Sequence, residues 1–404
     1  MATSQSRISA VYMRDGTSKG VFFHKDALPS DPISRDAVLL RVIGSPDPYG
    51  KQIDGMGGAS SSTSKVVLLS RSEVDGCDVD YLFGQVAIDA PLIDWSGNCG
   101  NLSAAVGPFA ISEGLVSAPA DGIATVRIWQ SNLGKRIIAK VPMLGGLVQE
   151  EGAFELDGVT FPAAEVGLTF MDPGASKSLN DAGVSRGGIF PTGLKLEYLN
   201  TSDGRYEVTM LNAGNPTVFV DAKSLGLSGT EMQECFNTDA ALLGRCERLR
   251  AEAAVVMGIA ATVEEATRLR QHTPKLIYVA PANAYITSSG SHVKSDDIDF
   301  LARAISMGKL HHAMLGTGAI AIAVAATIPG TLVHHLVGQK QSKTNSEAVR
   351  FGHPSGVLKV AASAHASDAG EWTIDEVRLS RSARRLMEGR VCIPSSLLAG
   401  FRPI

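Results

Sequence analysis

Two short stretches decide the fold: NCGN (98–101), which leads into the small apolar residues 102–106, and LGTG (315–318), which leads into an apolar run ending at Ala326. Glycines followed by a long uncharged, small-residue segment are typical of a helix that is buried on every side. Each half of the 404-residue chain therefore holds one buried helix. Strand patterns surround it in both halves, so the sequence predicts an α+β protein with internal symmetry.

Most of the remaining chain consists of short apolar or alternating runs between turn residues, the pattern of β-strands. In the first third, a single helix interrupts them; it starts at Cys99, runs toward Leu115 and bends at Pro108. Asp157-Gly158 predicts a β-hairpin over 154–161, because this dipeptide suits a type I′ turn. Further helices are predicted at 231–257 and 263–271. Strands are predicted at 66–70, 79–88, 124–130, 136–142, 194–199, 206–211, 216–220, 275–280, 356–362 and 372–380.

A loop rich in Gly, Ser, Asp and Asn at 172–188 predicts a domain boundary. We expect an N-terminal domain at 1–188 and a C-terminal domain at 189–389. The last strand, 390–404, is expected to join the first domain.

Composition excludes several classes of function. The net charge of −4 leaves no basic surplus to neutralise phosphates, so no nucleic-acid partner is expected. The five scattered cysteines lack metal-binding or disulfide spacing, which fits the reducing cytoplasm. The N-terminus shows no signal-peptide pattern, and the longest apolar stretch, 313–337, is interrupted too often for a membrane span. A cytoplasmic protein without a membrane partner is predicted.

Two residues have the surroundings that proton transfer requires. Cys99 is predicted in the first turn of its helix, where the N-terminal dipole stabilises a thiolate that can act as acid or base. Its alternative is an inert buried thiol. Lys65 follows a Gly- and Ser-rich segment (54–64) and precedes an apolar strand, so burial would lower its pKa and make a neutral amine accessible. Its alternative is a solvated lysine after a flexible loop.

The segment RDGTSKG (14–20) combines hydroxyls, glycines and two cations between strands, which suits the binding of anionic oxygens. The two glycine-led helix starts add unpaired N–H groups, so together they are suited to hold a di- or tricarboxylate. His311, His312 and Lys309 are expected to contact carboxylates or to lie at an interface. No carboxylate lies at ligand spacing from the histidines, so no metal site is predicted.

Several long motifs resemble the 2-methylaconitate cis-trans isomerase (PrpF) family, in order and over nearly the whole chain. They are YMRDGTSKG (12–20), DPYGKQIDGMGG (47–58), SSTSK (61–65), DWSGNCGN (94–101), SMGKLHHAM (306–314) and FGHPSG (351–356).

The resemblance implies a diaminopimelate-epimerase-like α+β fold. Its two pseudo-symmetric domains each wrap a curled β-sheet around a central helix, with the active site in the cleft between them. It further implies proton transfer without cofactor or metal, with Lys65 and Cys99 as the acid/base pair. The residues expected to bind the substrate are Arg14, Thr17, Ser18, Lys19, Gly57, Ser64, Asn98, Gly100, Asn101, Met307, Lys309, Gly316, Thr317 and Ser355.

The chain departs from related patterns at two positions. Asp15 stands where the family usually has a glycine, and it is expected to add negative charge beside the anion-binding segment. Leu315 stands where amino-acid epimerases of the same fold carry a second cysteine. A two-thiol mechanism is therefore disfavoured, and the unlike pair Lys65 and Cys99 is favoured.

The function implied by the resemblance is the isomerisation of a small unsaturated tricarboxylate, with 2-methylaconitate of propionate catabolism favoured. Aconitate isomerisation and 4-oxalomesaconate tautomerisation are alternatives that share the same pair. A non-catalytic accessory of an iron–sulfur dehydratase is an alternative of another class. A homo-oligomer and a functional pairing with an aconitase-like dehydratase are further expectations.

Overall fold

A computed structural model describes residues 5–174, 177–179, 185–338, 348–368 and 370–398. The predicted boundary loop, 172–188, and the predicted last strand, 390–404, both lie partly outside these residues. The chain divides into two compact units. Unit 1 comprises Met1–Leu168 with Ser380–Ile404, and unit 2 comprises Thr169–Leu379.

Among the described residues, more lie in β-strands than in helices. The strands of the described chain are β1 (Gln5–Asp15), β2 (Ser18–His24), β3 (Lys65–Arg71), β4 (Val79–Val86), β5 (Ile93–Asp94), β6 (Gly122–Gln130), β7 (Lys135–Leu144), β8 (Leu147–Val148), β9 (Val166–Met171), β10 (Lys177–Leu179), β11 (Ser185–Gly187), β12 (Glu197–Thr201), β13 (Gly204–Ala213), β14 (Asn215–Asp221), β15 (Lys275–Pro281), β16 (Tyr285–Ile286), β17 (His292–Val293), β18 (Phe300–Ser306), β19 (Lys309–Leu310), β20 (Ala348–His353), β21 (Gly356–Ala366), β22 (Trp372–Arg381) and β23 (Ala383–Pro394). All ten strands predicted from the patterns overlap one of these.

Helices are fewer. Within the described ranges they are α1 (Pro32–Ile43), α2 (Ser103–Ser112), α3 (Gln233–Phe236), α4 (Ala240–Val256), α5 (Val263–Leu269), α6 (Gly316–Thr327) and α7 (Leu332–Gly338). No single one is long and apolar enough to cross a membrane; α6 and α7 reach that length and composition only as a pair that bends by 64°.

The same order of strands occurs in each unit. In unit 1, β1 and β2 form a hairpin, β2 is parallel to β3, β3 antiparallel to β4, β4 parallel to β6, and β6 antiparallel to β7. In unit 2, the strands β13, β14, β15, β18, β20 and β21 repeat this order with the same directions. In each unit one apolar helix precedes the fifth strand of this order: α2 precedes β6 in unit 1, and α6 precedes β20 in unit 2.

The helices α2 and α6 form the centre of their units. Residues 103–110 of α2 and 316–326 of α6 are buried without exception, as expected for helices that are apolar all round. At Gly107 of α2, a Cβ atom would lie 2.7 Å from the Val141 side chain on β7. A glycine at this position therefore allows the helix to pack closely against the strand.

Two local predictions are wrong, and one helix was missed. Helix α1 was not predicted, although Asp31 caps it, Pro32 opens it and Gly44 ends it with a φ of 85°. The hairpin over 154–161 is absent: a turn forms at Asp157-Gly158, but a single isolated bridge flanks it. The helix predicted over 231–257 is interrupted, because the Asp239 side chain caps a new helix, α4.

Asp15 occupies the start of α2. Its side chain is fully buried and accepts a hydrogen bond from the Ala105 N–H, so the departure from the family pattern caps a helix. Burial raises the pKa of Asp15 well above its usual range, against the hydrogen bonds of α2 and the positive charges of Arg14 and Arg381. The expectation that Asp15 adds charge beside the anion-binding segment does not describe its main contact, which is with the helix.

Truncation of Phe109 should show how far unit 1 depends on α2. Phe109 is 1% exposed, and its ring centroid lies 5.8 Å from that of Phe22 on β2. We expect Phe109→Ala to lower the free energy of unfolding by about 3–5 kcal/mol, measured by urea denaturation. Phe161→Ala, at a site 71% exposed in the same unit, should change it by less than about 0.5 kcal/mol. Equal effects of the two substitutions would contradict the central role of α2.

Asp15→Asn should alter how stability depends on pH. Because the pKa of Asp15 is raised in the folded state, its contribution to stability is complete below the pKa of the unfolded chain, about 3.9, and is lost as the pH rises toward the folded value. Relative to the variant, the native chain should lose stability between pH 5 and pH 7, by up to about 1.4 kcal/mol per pH unit. Urea denaturation at both pH values measures this, with the exposed Asp26→Asn as control. If the native chain instead gained stability relative to the variant as the pH rose, the raised pKa of Asp15 would be refuted.

Candidate active site

Lys65 is the first residue of β3, and its side chain is only 3% exposed. Its Nζ donates a hydrogen bond of 2.6 Å to Oε1 of Gln85, which faces it on β4, and lies 5.0 Å from the centroid of the Phe83 ring. Gln85 is held in turn, because its Nε2 donates to the Ser64 carbonyl at 3.0 Å. The amine is therefore fixed in position by groups of the sheet itself.

The environment of Lys65 favours the neutral amine. Burial lowers the pKa of Lys65, while the charge of Cys99 and a hydrogen bond between the two side chains act in the opposite direction. The lysine and the cysteine are thus close enough to influence each other's charge. An amine with a lowered pKa beside a thiol is an arrangement that can take up and return protons.

Cys99 lies in the loop before α2, and its predicted place in the first turn of the helix is wrong. The helix begins at Ser103, whose N–H and Oγ both donate to the Cys99 carbonyl at 3.1 Å. The Tyr81 hydroxyl donates to the same carbonyl at 3.2 Å. Cys99 is 7% exposed, so three hydrogen bonds to its carbonyl fix a largely buried thiol near Lys65.

Arg381, which the sequence analysis did not identify, adds a buried cation to this cluster. Its Nε donates to Oδ1 of Asn101 at 3.2 Å. Burial lowers the pKa of Arg381 to about 10, against the opposing negative charges of Asp15 and Cys99. The guanidinium therefore adds a positive charge to the surroundings of Cys99. No local motif marks this arginine, because it ends a strand far along the chain from Cys99.

The hydroxyl segment between β1 and β2 joins the Cys99 loop through Asn101. The amide of Asn101 donates to Oγ1 of Thr17 at 3.0 Å and to Oγ of Ser18 at 3.4 Å. The two cations of this segment point elsewhere: Arg14 donates to the carbonyl and hydroxyl of Ser382, and Lys19 lies over the Tyr12 ring. Thr17, Ser18 and Asn101 are thus brought to Cys99, whereas Arg14 and Lys19 serve other contacts.

Two predicted residues, Gly57 and Ser64, lie in the glycine-rich segment (54–64) that precedes Lys65. Ser64 is buried and donates to Oε1 of Gln52 at 2.8 Å. The N–H of Gly57 donates to the Ile43 carbonyl, and a Cβ at Gly57 would lie 2.1 Å from the same Gln52 oxygen. Both residues build the loop before β3. Asn98 and Gly100, on either side of Cys99, are buried.

The predicted residues of unit 2 lie at the start of α6, after β18, on β19 and after β20. Gly316 and Thr317 form the first turn of α6, and Met307 adopts a positive φ of 52° just after β18. Lys309, in contrast, is exposed on β19, and its Nζ lies 3.4 Å from the Asn237 carbonyl. The hydroxyl of Ser355 donates to the His312 carbonyl. Burial lowers the pKa of His312, whose ring stacks on that of His311 with centroids 4.7 Å apart.

Known proteins resemble the chain over nearly its full length. A 2-methyl-aconitate isomerase of Shewanella oneidensis is 56% identical over 96% of this chain and 98% of its own. A 3-methylitaconate isomerase of Eubacterium barkeri is 37% identical over 98% of this chain and 100% of its own. A 4-oxalomesaconate tautomerase of Pseudomonas putida is 36% identical over 96% and 97%.

Solved structures confirm the predicted fold. A methylitaconate-delta-isomerase matches with a TM-score of 0.74 at 37% identity, over 98% of both chains. A hydroxyproline epimerase from Agrobacterium vitis matches with a TM-score of 0.54 at 12% identity, over 98% of this chain and 94% of its own, and so shares the epimerase-like fold. The PrpF protein family matches residues 5–394, as the sequence motifs predicted. The chain therefore belongs to the PrpF family.

Proposed function

We propose that the chain is a cofactor-independent isomerase that interconverts cis and trans isomers of 2-methylaconitate. The burial of the Lys65 amine near the thiol of Cys99 is the observation that carries this proposal. The isomerase at 56% identity indicates the substrate, because it is named for 2-methylaconitate and matches nearly the whole chain. Lys65 and Cys99 remain a proposed pair, argued from their burial and proximity.

The chemistry follows from the acidity of the substrate. A proton on a carbon conjugated with a carboxylate can be removed by one member of the pair, leaving a dienolate whose former double bond is free to rotate. Return of a proton to the same carbon then gives the other isomer, with no net change in protons. The charge that develops on the carboxylate oxygens is stabilised by fixed donors, for which the amide of Asn101 and the hydroxyls of Thr17 and Ser18 are suited.

Arg381 fits the same scheme as a buried cation near the proposed pair. Because burial lowers the pKa of Lys65, its amine is suited to take up and return a proton. A general acid or base works best when its proton affinity suits the working pH.

The tautomerase at 36% identity makes 4-oxalomesaconate the second candidate substrate. Aconitate is the third, because it differs from 2-methylaconitate by one methyl group. We also propose a cytoplasmic setting, homo-oligomeric assembly and a functional pairing with an aconitase-like dehydratase that acts on the same class of unsaturated tricarboxylate. Steady-state kinetics with the three acids, at equal enzyme concentration, should give the highest kcat/KM for 2-methylaconitate.

Substitution of the pair tests the mechanism. We expect Lys65→Met and Cys99→Ser each to lower turnover of 2-methylaconitate at least about a hundredfold, since each removes a proton carrier. Proton NMR in deuterated water measures both isomerisation and the uptake of solvent deuterium. The exposed Lys51→Met and Cys392→Ser are the matched controls and should keep native rates.

A loss of only a fewfold in either active-site variant would exclude that residue as a proton carrier. If the native chain exchanges no deuterium into any of the three acids, an accessory, non-catalytic role would replace the proposal.

A further inference from the structure

Gln85 is a fully buried residue of β4 that lies beside Lys65 and was not identified from the sequence. The two residues are Cα partners across β3 and β4. On the other side of β3, the neighbouring strand β2 has Gly20 next to Lys65; a Cβ there would lie 3.2 Å from Cβ of Lys65. Of the two neighbours of Lys65 in the sheet, only Gln85 therefore brings a side chain to it.

The hydrogen bonds of Gln85 fix which end of its amide faces Lys65. The Ser64 carbonyl can only accept, so Nε2 of Gln85, at 3.0 Å, is the donor to it. Oε1 then faces Nζ of Lys65, at 2.6 Å. The Ser64 carbonyl also accepts from the Val86 N–H at 3.0 Å, which fixes it in turn. The backbone thus presents an acceptor to the amine, whatever the charge of Lys65.

An amide oxygen can hold the amine in both of its protonation states. An ammonium has three N–H donors and a neutral amine has two, so either form can donate to Oε1 of Gln85. A carboxylate in the same place would favour the ammonium, because a nearby opposite charge stabilises the charged form. A proton carrier has to lose its proton and take it up again at one position, and a neutral acceptor permits both steps.

Among the described residues, Cys99 is the titratable group whose charge acts on the amine. Burial lowers the pKa of Lys65, and the charge of Cys99, from the loop before α2, acts in the opposite direction. Tyr81 and Arg381 lie near Cys99 in turn. Asp94 lies one strand further away, on β5, and its carboxylate accepts two hydrogen bonds from its own loop. The side chain that holds the amine is therefore uncharged, and the charge that acts on it comes from its proposed partner in proton transfer.

We propose that Gln85 is a positioning residue, whose amide oxygen holds the Lys65 amine in place in both protonation states. The proposal rests on the function proposed above, since it explains how a proposed proton carrier keeps its position while its proton leaves and returns. It concerns the amine and not the substrate, so two of its three tests need no substrate.

Gln85→Glu tests the neutral acceptor, because it replaces the amide with a carboxylate of the same shape. The protein is labelled with lysine that carries carbon-13 at Cε, and the Lys65 resonance is assigned by its absence from Lys65→Met. We expect Gln85→Glu to raise the pH midpoint of that resonance by at least about one pH unit, since the carboxylate stabilises the ammonium. The exposed Gln5→Glu is the matched control and should keep the native midpoint. An unchanged midpoint in Gln85→Glu overturns the proposal, because a merely structural role of Gln85 would not move it.

Gln85→Met tests positioning, because methionine has about the same length and no acceptor for the amine. We expect it to lower kcat for 2-methylaconitate about tenfold or more and to change KM less than about twofold, since a misplaced proton carrier slows the reaction without weakening substrate binding. A native kcat overturns the proposal, and so does a raised KM with a native kcat.

Crystal structures of the native chain, at pH values below and above the midpoint of Lys65, test the position of the amine without any variant. We expect Nζ of Lys65 to stay within about 3.2 Å of Oε1 of Gln85 at both pH values. Separation of the two atoms at either pH overturns the proposal. This test decides if thermal unfolding shows that the variants do not fold.

The two proposals can fail separately. If the native chain turns over none of the three acids, but Gln85→Glu raises the midpoint and the hydrogen bond persists at both pH values, the proposed function is wrong and the role of Gln85 toward the amine stands. If the chain turns over 2-methylaconitate and Gln85→Glu leaves the midpoint unchanged, the role of Gln85 is wrong and the function stands.

Discussion

The burial of an amine against a thiol is the constraint on which the rest of unit 1 depends. Removing the Lys65 ammonium from water disfavours its charge, and the charge of Cys99 returns part of that stabilisation. Such a balance requires both groups to be held by rigid elements, because a small displacement would expose the amine to water. The start of β3 and the backbone bonds that fix the Cys99 loop supply that rigidity.

The buried start of the central helix α2 requires hydrogen-bond acceptors. Its first N–H groups are buried, and a buried unpaired N–H is costly. Asp15 fills that need with a carboxylate that is itself fully buried, and Arg381 offsets the negative charge. The helix start, the carboxylate and the guanidinium thus form one electrostatic unit next to Cys99. A glycine at position 15 would leave the helix start to another partner.

Local patterns were enough for the strands and for the two buried helices, because both depend on periodicity and composition within a few residues. The motifs around Lys65 and Cys99 gave the candidate pair. Long-range partners could not be predicted in this way: Arg381 reaches Asn101 across 280 residues, and nothing local marks it. Helix α1, in contrast, could have been predicted from local sequence, because Asp31, Pro32 and Gly44 are typical residues at helix ends.

The repeated strand order explains why the sequence analysis did not identify Lys275, the buried first residue of β15. Seen alone, a lysine before an apolar strand has no motif; seen in register, it is the counterpart of Lys65. At these equivalent positions both units have a buried lysine, whereas Leu315 stands where epimerases of this fold carry a second cysteine. A proton carrier needs a neighbour with which to share a proton. The buried lysine of unit 1 has a thiol beside it, whereas that of unit 2 has an imidazole.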